Sequence, residues 1–435
     1  MEYRIDTKCI HHRLYHIMAF LIGLSICENV SIIFTVGHTS FGFSIVINSL
    51  IFIYFFIIEQ SRVWNALKQI PLTLKIYVII CLLSIIPGMI YFETISIIGR
   101  FFVGIIALIL VIFSLINTML LSKYKASIFF GITVGILLNV LMSIGAYITF
   151  RNNNVFSLDT IFPHPGIFYV PRYSFRAQGL FLEPSHFLRF FISVVVLVIE
   201  YQREKERKNH FFAFAVGILS ILMLAYSGSG SVVIVISITI GYFAFSKKES
   251  KLSIITLILS IVSIGFIIWN LTSDAEISKY INNIVSGSNI SDKSNLDRYE
   301  GMKTYYSFIS QAPLGIGYNL TGSLREVNGI TQASAFSEYI EMTLEMGAFG
   351  TLVYTLFFGN TVIRLLKRRN NYAVALAMSM IGILVLQIGT DYPPDPCIAV
   401  VIGLAIDYMT ESAVPIETKW QKHLDYLEIG KKYIR

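Results

Sequence analysis

Hydrophobic residues in this chain collect in long runs that are separated by shorter polar stretches. A helix needs about 20 apolar residues to cross a bilayer, and the runs are close to that length. They lie at about residues 17–36, 43–58, 76–92, 95–121, 126–149, 186–201, 210–227, 231–246, 252–271, 338–363, 371–389 and 397–410. The pattern predicts an all-α polytopic membrane protein with about 12 transmembrane helices. They are expected to form a single membrane domain over residues 1–435.

The first run is predicted to be a retained helix. The sixteen residues before it are polar and basic, and no small-residue cleavage site follows it. A cleaved signal peptide would need such a site.

Composition and charge agree with a membrane protein. Hydrophobic residues make up 55% of the chain and charged residues 14%, whereas a water-soluble domain carries about a quarter charged residues. Most of the 34 Lys and Arg residues fall in alternate polar stretches, which the positive-inside rule places in the cytoplasm. The net charge of +7 therefore reports orientation, and a nucleic-acid partner is not expected. Both termini are predicted to be cytoplasmic, with residues 411–435 as a cytoplasmic tail.

Two long loops, residues 151–185 and 272–337, are predicted on the opposite side of the membrane and carry most of the remaining basic residues. Loops longer than about 15 residues are uncommon unless they are functional or disordered. Aromatic residues, Pro and Gly are mixed through both, so we expect them to fold over the bundle and to carry short interfacial helices.

The end of the first loop combines Arg172, Arg176, Glu183 and His186 in one short stretch. Pro184 is suited to the first position of a helix, so the next helix is predicted to begin there with Glu183 at its cap. One interpretation is that Arg176 and Glu183 pair and tie the loop down. The other is that they line a cavity at the membrane surface.

The second loop is predicted to contain an amphipathic surface helix over residues 296–311, because apolar and aromatic residues recur there at helical spacing. Arg298 lies on this helix, and Pro313-x-Gly315-x-Gly317 ends it. An interfacial anchor is the alternative role for Arg298.

Three acids, Glu338, Glu341 and Glu345, open the helix after this loop and share one face. Acids in a first turn commonly interact with the helix dipole. Glu345 lies deeper, where an acid more often faces the bundle or a wet cavity. Arg100 lies near the outer end of the fourth run and is either a binding residue or a side chain that reaches to the interface.

Metal and cofactor sites are not predicted. The four Cys residues form no metal-binding spacing, and Cys27 and Cys81 lie inside apolar runs, where a thiol acts as a small apolar group. The stretch Ser227–Ser231 lacks the Lys of a phosphate loop, and the chain has no Asp-x-Asp.

The order of the polar motifs resembles the O-antigen polymerase and ligase superfamily. The motifs are Arg176-Ala-Gln-Gly179-Leu-Phe181-Leu-Glu183-Pro184, then Arg298 with Pro313-Leu-Gly315-Ile-Gly317, then Glu345-Met-Gly347-Ala-Phe-Gly350. The resemblance implies an enzyme of the bacterial inner membrane that acts at the periplasmic face on glycans carried by undecaprenyl pyrophosphate. It also implies a separate chain-length regulator as a partner.

Two departures favour the polymerase branch of this superfamily. Ligases usually carry a His nine residues before the Glu of the last motif, where this chain has Phe336. They also often carry a Ser-Arg pair where this chain reads Ser229-Gly230-Ser231. Both departures leave the identity of the catalytic base open.

Glycosyl transfer from a lipid pyrophosphate releases a highly charged leaving group, and Arg binds phosphate oxygens in a bidentate manner. Fixed cations near developing charge are typically the largest catalytic contribution. The predicted pyrophosphate ligands are Arg176 and Arg298, with Arg172 and Arg325 as second choices. Glu183, then Glu338, is predicted to orient or deprotonate the attacking hydroxyl. Arg100, His186 and Tyr318 complete the predicted substrate-binding set.

Two rival functions remain at this point: an O-antigen ligase, and a lipid-linked sugar flippase. Transporters often have repeated halves and broken helices near the midplane, whereas the halves of this chain are unlike. Buried charges near the midplane would favour a flippase, and buried charges at the outer surface would favour a polymerase.

Overall fold

Most of the hydrophobic runs that the structure describes form helices close to their predicted bounds. The computed structural model describes residues 7–27, 32–36, 39–93, 97–151, 156–157, 168–169, 180–181, 184–204, 232–246, 293–331, 334–368, 370–390 and 395–411. Their helices are α1 (Thr7–Ser25), α2 (Phe43–Ile58), α3 (Gln60–Gln69), α4 (Leu72–Leu83), α5 (Ile85–Phe92), α6 (Ile97–Leu121), α7 (Lys125–Arg151), α8 (Pro184–Glu204), α9 (Val232–Phe245), α10 (Lys293–Ile309), α11 (Thr321–Val327), α12 (Glu338–Lys367), α13 (Asn371–Ile388) and α14 (Pro396–Glu411). The runs predicted at 210–227 and 252–271 and most of the tail lie outside the described residues.

The chain is a multi-pass membrane protein. Within the described residues, four helical stretches are long and apolar enough to cross a bilayer: Leu72–Phe92, Ile97–Gly145, Glu338–Lys367 and Asn371–Ile388. The helices α2 and α3, bent by 114° at their junction, add a fifth if they count as one span. A 3-10 turn at Ser122–Tyr124 separates α6 from α7, where the lysines of the sequence predicted a break.

The prediction for the first helix is wrong by about ten residues, since α1 occupies Thr7–Ser25 and not 17–36. The polar residues at its start contact another part of the bundle. The centres of the His12 and His16 rings lie 5.4 and 4.8 Å from the centre of the Tyr124 ring. Hydropathy alone does not register such aromatic contacts.

Two short antiparallel sheets of two strands each add strands to the predicted all-α fold. Strand β1 (Ile32–Val36) pairs with β2 (Thr39–Gly42), and β3 (Phe156–Ser157) pairs with β4 (Phe168–Tyr169). Strand β1 falls within the first predicted run, and its β-branched residues favour a strand.

Helices of the bundle approach one another closely through small residues. A Cβ atom at Gly131 of α7 would collide with the carbonyl of Phe20 in α1, so the glycine allows the two backbones to meet. Helix α13 is largely buried and packs against α8, α9 and α12.

Helix ends that the alternating topology assigns to the same side of the membrane lie close together in the structure. At one end of the bundle, Arg62 donates to the carbonyl of Leu120 at 2.9 Å and Lys125 lies 4.2 Å from the ring of Tyr372. At the other end, the amide of Glu338 donates to the carbonyl of Thr390 at 3.0 Å. We call this second end, which carries residues 293–331 and 334–346, the loop face.

Candidate active site

Helix α12 bends sharply at Gly347, whose φ of 70° and ψ of 171° are not helical. The side-chain oxygens of Thr343 and Thr351 lie 3.0 Å apart across the bend. Eight residues of a straight helix span about 12 Å, so only a sharp bend brings these two hydroxyls together. The first nine residues of α12 therefore run in a different direction from the rest.

The Pro313-x-Gly315-x-Gly317 motif supplies hydrogen-bond donors to the carbonyls at this bend. The amides of Ile316 and Gly317 donate to the carbonyls of Leu344 and Glu345 at 2.8 and 2.9 Å. Carbonyls at a helix break need such outside donors. We call Gly315, Gly317 and Gly347, which all have positive φ, the glycine joint. Two motifs that are distant in sequence are thus the two halves of one joint.

Glu345 stabilises the start of α11. Its Oε1 accepts from the Thr321 hydroxyl at 2.7 Å and from the Thr321 amide at 3.3 Å. A carboxylate at a helix N-terminus accepts from amides that lack partners and interacts favourably with the dipole. Glu345 is therefore a positioning group for α11.

Arg100 also holds α11. Its Nη2 donates to both carboxylate oxygens of Glu326 at 2.6 and 2.7 Å, and its Nη1 donates to the Ser323 hydroxyl at 3.2 Å. Both partners of the ion pair are partly exposed, so it orients α11 more than it stabilises the fold. The predicted contact of Arg100 with substrate stays a prediction.

A charge cluster forms where α10, α11 and α12 meet, and we define it as Tyr305, Arg325 and Glu341. Tyr305 is fully buried. Burial raises the pKa of its hydroxyl, the Glu341 carboxylate raises this pKa further, and the Arg325 guanidinium lowers it. The carboxylate oxygen Oε1 of Glu341 also accepts from the amide of Ala335 at 3.0 Å. The cluster places a cation, an acid and a hydroxyl within electrostatic reach of one another.

Arg298 lies on α10, the helix that contributes Tyr305 to this cluster. It precedes Tyr305 by seven residues, so its backbone position falls on the same face of α10. On that face, a Cβ atom at Gly301 would lie 2.8 Å from the ring of Phe336. The close approach of Gly301 sets the distance between α10 and the segment before α12.

Glu338 is buried at the start of α12. It lies within electrostatic reach of Tyr318, whose amide donates to the Ser84 hydroxyl at 2.8 Å. Burial, then Cys81, Glu345 and Glu338, raise the pKa of the Tyr318 hydroxyl well above its ordinary value.

Residues of the first loop are only partly described. Helix α8 begins at Pro184, as predicted, and partly buried His186 lies in its first turn. Arg172, Arg176 and Glu183 lie outside the described residues, so their predicted roles stay predictions.

The structure adds residues to the site that sequence reasoning did not assign to it. Tyr305 and Glu341 were visible only as a helical pattern and as a first-turn acid, and no sequence signal marked Glu326 as the partner of Arg100. Among the described residues, no group of three or more His, Cys, Asp and Glu side chains is arranged to hold a metal ion.

Comparison with known proteins supports the superfamily that the motifs resemble. A family model described as O-antigen ligase matches residues 213–355, about a third of the chain. The matched part includes α9, α10, α11 and the glycine joint. A search of curated proteins finds no match. These findings support the O-antigen polymerase and ligase superfamily and do not separate its two branches.

Proposed function

We propose that this protein is a polysaccharide polymerase of the O-antigen type, a glycosyltransferase that joins undecaprenyl-pyrophosphate-linked repeat units at the periplasmic face of the bacterial inner membrane. The observation that supports the proposal is the glycine joint, which links the segment between α10 and α11 to α12 at the loop face. Arg298, Arg325 and Glu338 belong to these three helices. The family match to this part of the chain agrees with it.

In the proposed reaction, a sugar hydroxyl of one repeat unit attacks the anomeric carbon of another. The bond between that carbon and the pyrophosphate breaks, and the hydroxyl proton passes to an acidic side chain. Arg298 and Arg325, with Arg176 and Arg172 of the first loop, would bind the departing pyrophosphate. Glu183, or Glu338 at the start of α12, would orient the attacking hydroxyl or accept its proton.

A ligase is the second candidate, because the matching family model is described as O-antigen ligase. Against it stands Phe336, which occupies the position where ligases usually carry His. Its φ is 52° and its ring packs against Gly301. The Phe336 ring therefore fills a packing position and has no group that could act as a base.

A flippase is less well supported. Among the described residues, Glu200 and Glu338 are the least exposed charged residues. Glu338 lies at the loop face, and Glu200 lies at the end of α8, where Tyr242 donates to it. Neither lies midway along a described helix, where a transport site is expected.

The test is polymerisation by purified protein with synthetic lipid-pyrophosphate-linked repeat units, resolved on a gel. Wild type is expected to produce a ladder, and Arg298→Ala and Arg325→Ala are expected to lose it. Arg364→Ala is the matched control, because Arg364 is exposed at the far end of α12. Transfer to added lipid A core without a ladder would establish a ligase. Movement of the lipid-linked unit across a liposome bilayer, with no ladder, would overturn the enzyme proposal.

A further inference from the structure

An open groove runs along the loop face beside the charge cluster. It has a volume of about 610 Å³, within the range of ligand sites of about 300–1,000 Å³. One wall is α10, and the other is the segment 328–331 that follows α11. Its lining residues are Glu300, Lys303, Thr304, Ser307, Phe308, Asn328, Gly329, Ile330 and Thr331.

The lining has the chemistry of a sugar site. Hydroxyl and amide groups on both walls can donate to and accept from sugar hydroxyls, and Phe308 supplies an apolar surface. Lys303 and Glu300 contribute opposite charges, so the groove is not built to bind a pyrophosphate. The groove is open to solvent and carries charged and hydroxyl groups beside its apolar surface, which suits an amphipathic sugar better than a lipid tail.

The position of the groove connects it to the charge cluster. The amide of Ile330 donates to the carbonyl of Arg325 at 3.0 Å, so the second wall continues directly from the residue that carries the guanidinium. The first wall shares α10 with Arg298 and Tyr305. A glycan whose pyrophosphate lies at the charge cluster would therefore have its sugars within reach of the groove.

Two exposed tyrosines extend the same surface. Tyr299 and Tyr306 are 64% and 67% exposed. They lie on one face of α10, seven residues apart and on either side of Lys303 in sequence. Exposed aromatic rings on a rigid helix offer flat apolar surfaces that can cover the faces of sugar rings.

We infer that this groove binds the sugar portion of the glycan, and not its pyrophosphate or its lipid. The inference rests on the proposed function and extends it to the substrate class that one subsite recognises. The groove would hold the chain as it lengthens, while the arginines hold the pyrophosphate.

The test uses oligosaccharides of one or more repeat units that are free of lipid and phosphate. They are released from the surface polysaccharide of the bacterial cells that make this protein. Their binding to the full-length protein in nanodiscs is measured by calorimetry. Ser307→Trp fills the groove from α10, and Thr331→Trp fills it from the opposite wall. The matched control is Ser310→Trp, because the Ser307 and Ser310 hydroxyls are both exposed and each donates to the carbonyl three residues earlier.

We expect wild type and Ser310→Trp to bind the oligosaccharide equally. Ser307→Trp and Thr331→Trp should each weaken binding by about tenfold or more and shorten the polymer ladder. Absence of binding to wild type, or equal binding by all four proteins, would overturn the inference. Wild type that binds oligosaccharide in this Ser307-dependent way but forms no ladder would refute the polymerase and retain the sugar groove.

Discussion

At the scale of single residues, carboxylates in this chain differ in role according to the groups that surround them. Glu345 accepts from Thr321 at the start of α11, and Glu326 accepts from Arg100. Asp395 accepts from the amide of Ile398 at 2.8 Å and caps α14. These partners are distant in sequence for Glu345 and Glu326 and local for Asp395, so only the cap of Asp395 is readable from the chain.

Asp395 also gives the fold a pH dependence. Burial raises the pKa of its carboxyl from 3.8 to about 6, and the amide of Ile398 and the charge of Arg189 oppose this shift. The folded state therefore binds more protons than the unfolded state between these two pH values. The stability that the protonated carboxyl contributes is complete below pH 3.8 and is lost as pH rises through about 6.

Asp395→Asn is expected to raise the unfolding temperature at about pH 8 and to change it little at about pH 4. The amide stays neutral at both pH values, and its oxygen can still accept from Ile398. Thermal unfolding in detergent, followed by intrinsic fluorescence, measures the difference. Asp395→Ala, which loses the cap, should unfold earlier at both pH values. An equal shift for Asp395→Asn at both would contradict the assignment.

At the scale of elements, the sequence predicts a helix well where the residues within that helix are enough to define its bounds. Helix α2 matches its predicted bounds, α8 begins at the predicted Pro184, and the start of α10 lies three residues before its predicted position. The sequence does not predict the start of α1, because the residues there are polar and only their contacts with Tyr124 mark them as part of the bundle. The bend of α12 was also missed, since a glycine inside an apolar run does not reveal its φ.

Gly347→Ala is expected to lower the free energy of unfolding by about 1–3 kcal/mol, because its φ and ψ are almost restricted to glycine. A Cβ atom there would also lie 2.9 Å from the carbonyl oxygen of Pro313. The same change should reduce polymer formation, because the joint positions α10 and α11. Denaturant titration in detergent and the ladder assay measure the two effects.

The control for this change lies in the same helix. A Cβ atom at Gly359 meets no heavy atom within 4 Å, so Gly359→Ala should be neutral or stabilising by up to about 1 kcal/mol. Similar losses from both substitutions would show that α12 is not bent at Gly347 in solution.

At the scale of the whole molecule, the charged groups whose contacts are described above lie at the two ends of the bundle. Arg62, Lys125 and Arg368 contact the chain at one end, where Arg368 donates to the carbonyl of Met409 at 3.0 Å. The charge cluster and the groove lie at the loop face. The positive-inside rule predicts that the first end is cytoplasmic and the loop face is periplasmic.

This orientation is tested by labelling with a membrane-impermeant maleimide in spheroplasts. Ser310→Cys on the loop face should react before permeabilisation, and Ser61→Cys in α3 should react only afterwards; both serines are exposed. Cys27, Cys81 and Cys397 are buried, and the parent protein gives the background. The reverse pattern of labelling would refute the predicted orientation and the proposed periplasmic reaction.

Hydropathy and residue types along the chain predicted a membrane protein, the approximate positions of many of its helices, and the motifs that carry polar side chains. These properties depend on local hydrophobicity and on residue types, which are readable along the chain. Three contacts follow from the tertiary structure alone: the amides after Pro313 donate to α12 beside the bend at Gly347, Arg100 pairs with Glu326, and Tyr305 lies near Glu341 and Arg325. These contacts join residues that are far apart in sequence, and their geometry depends on backbone angles and packing that no local pattern specifies.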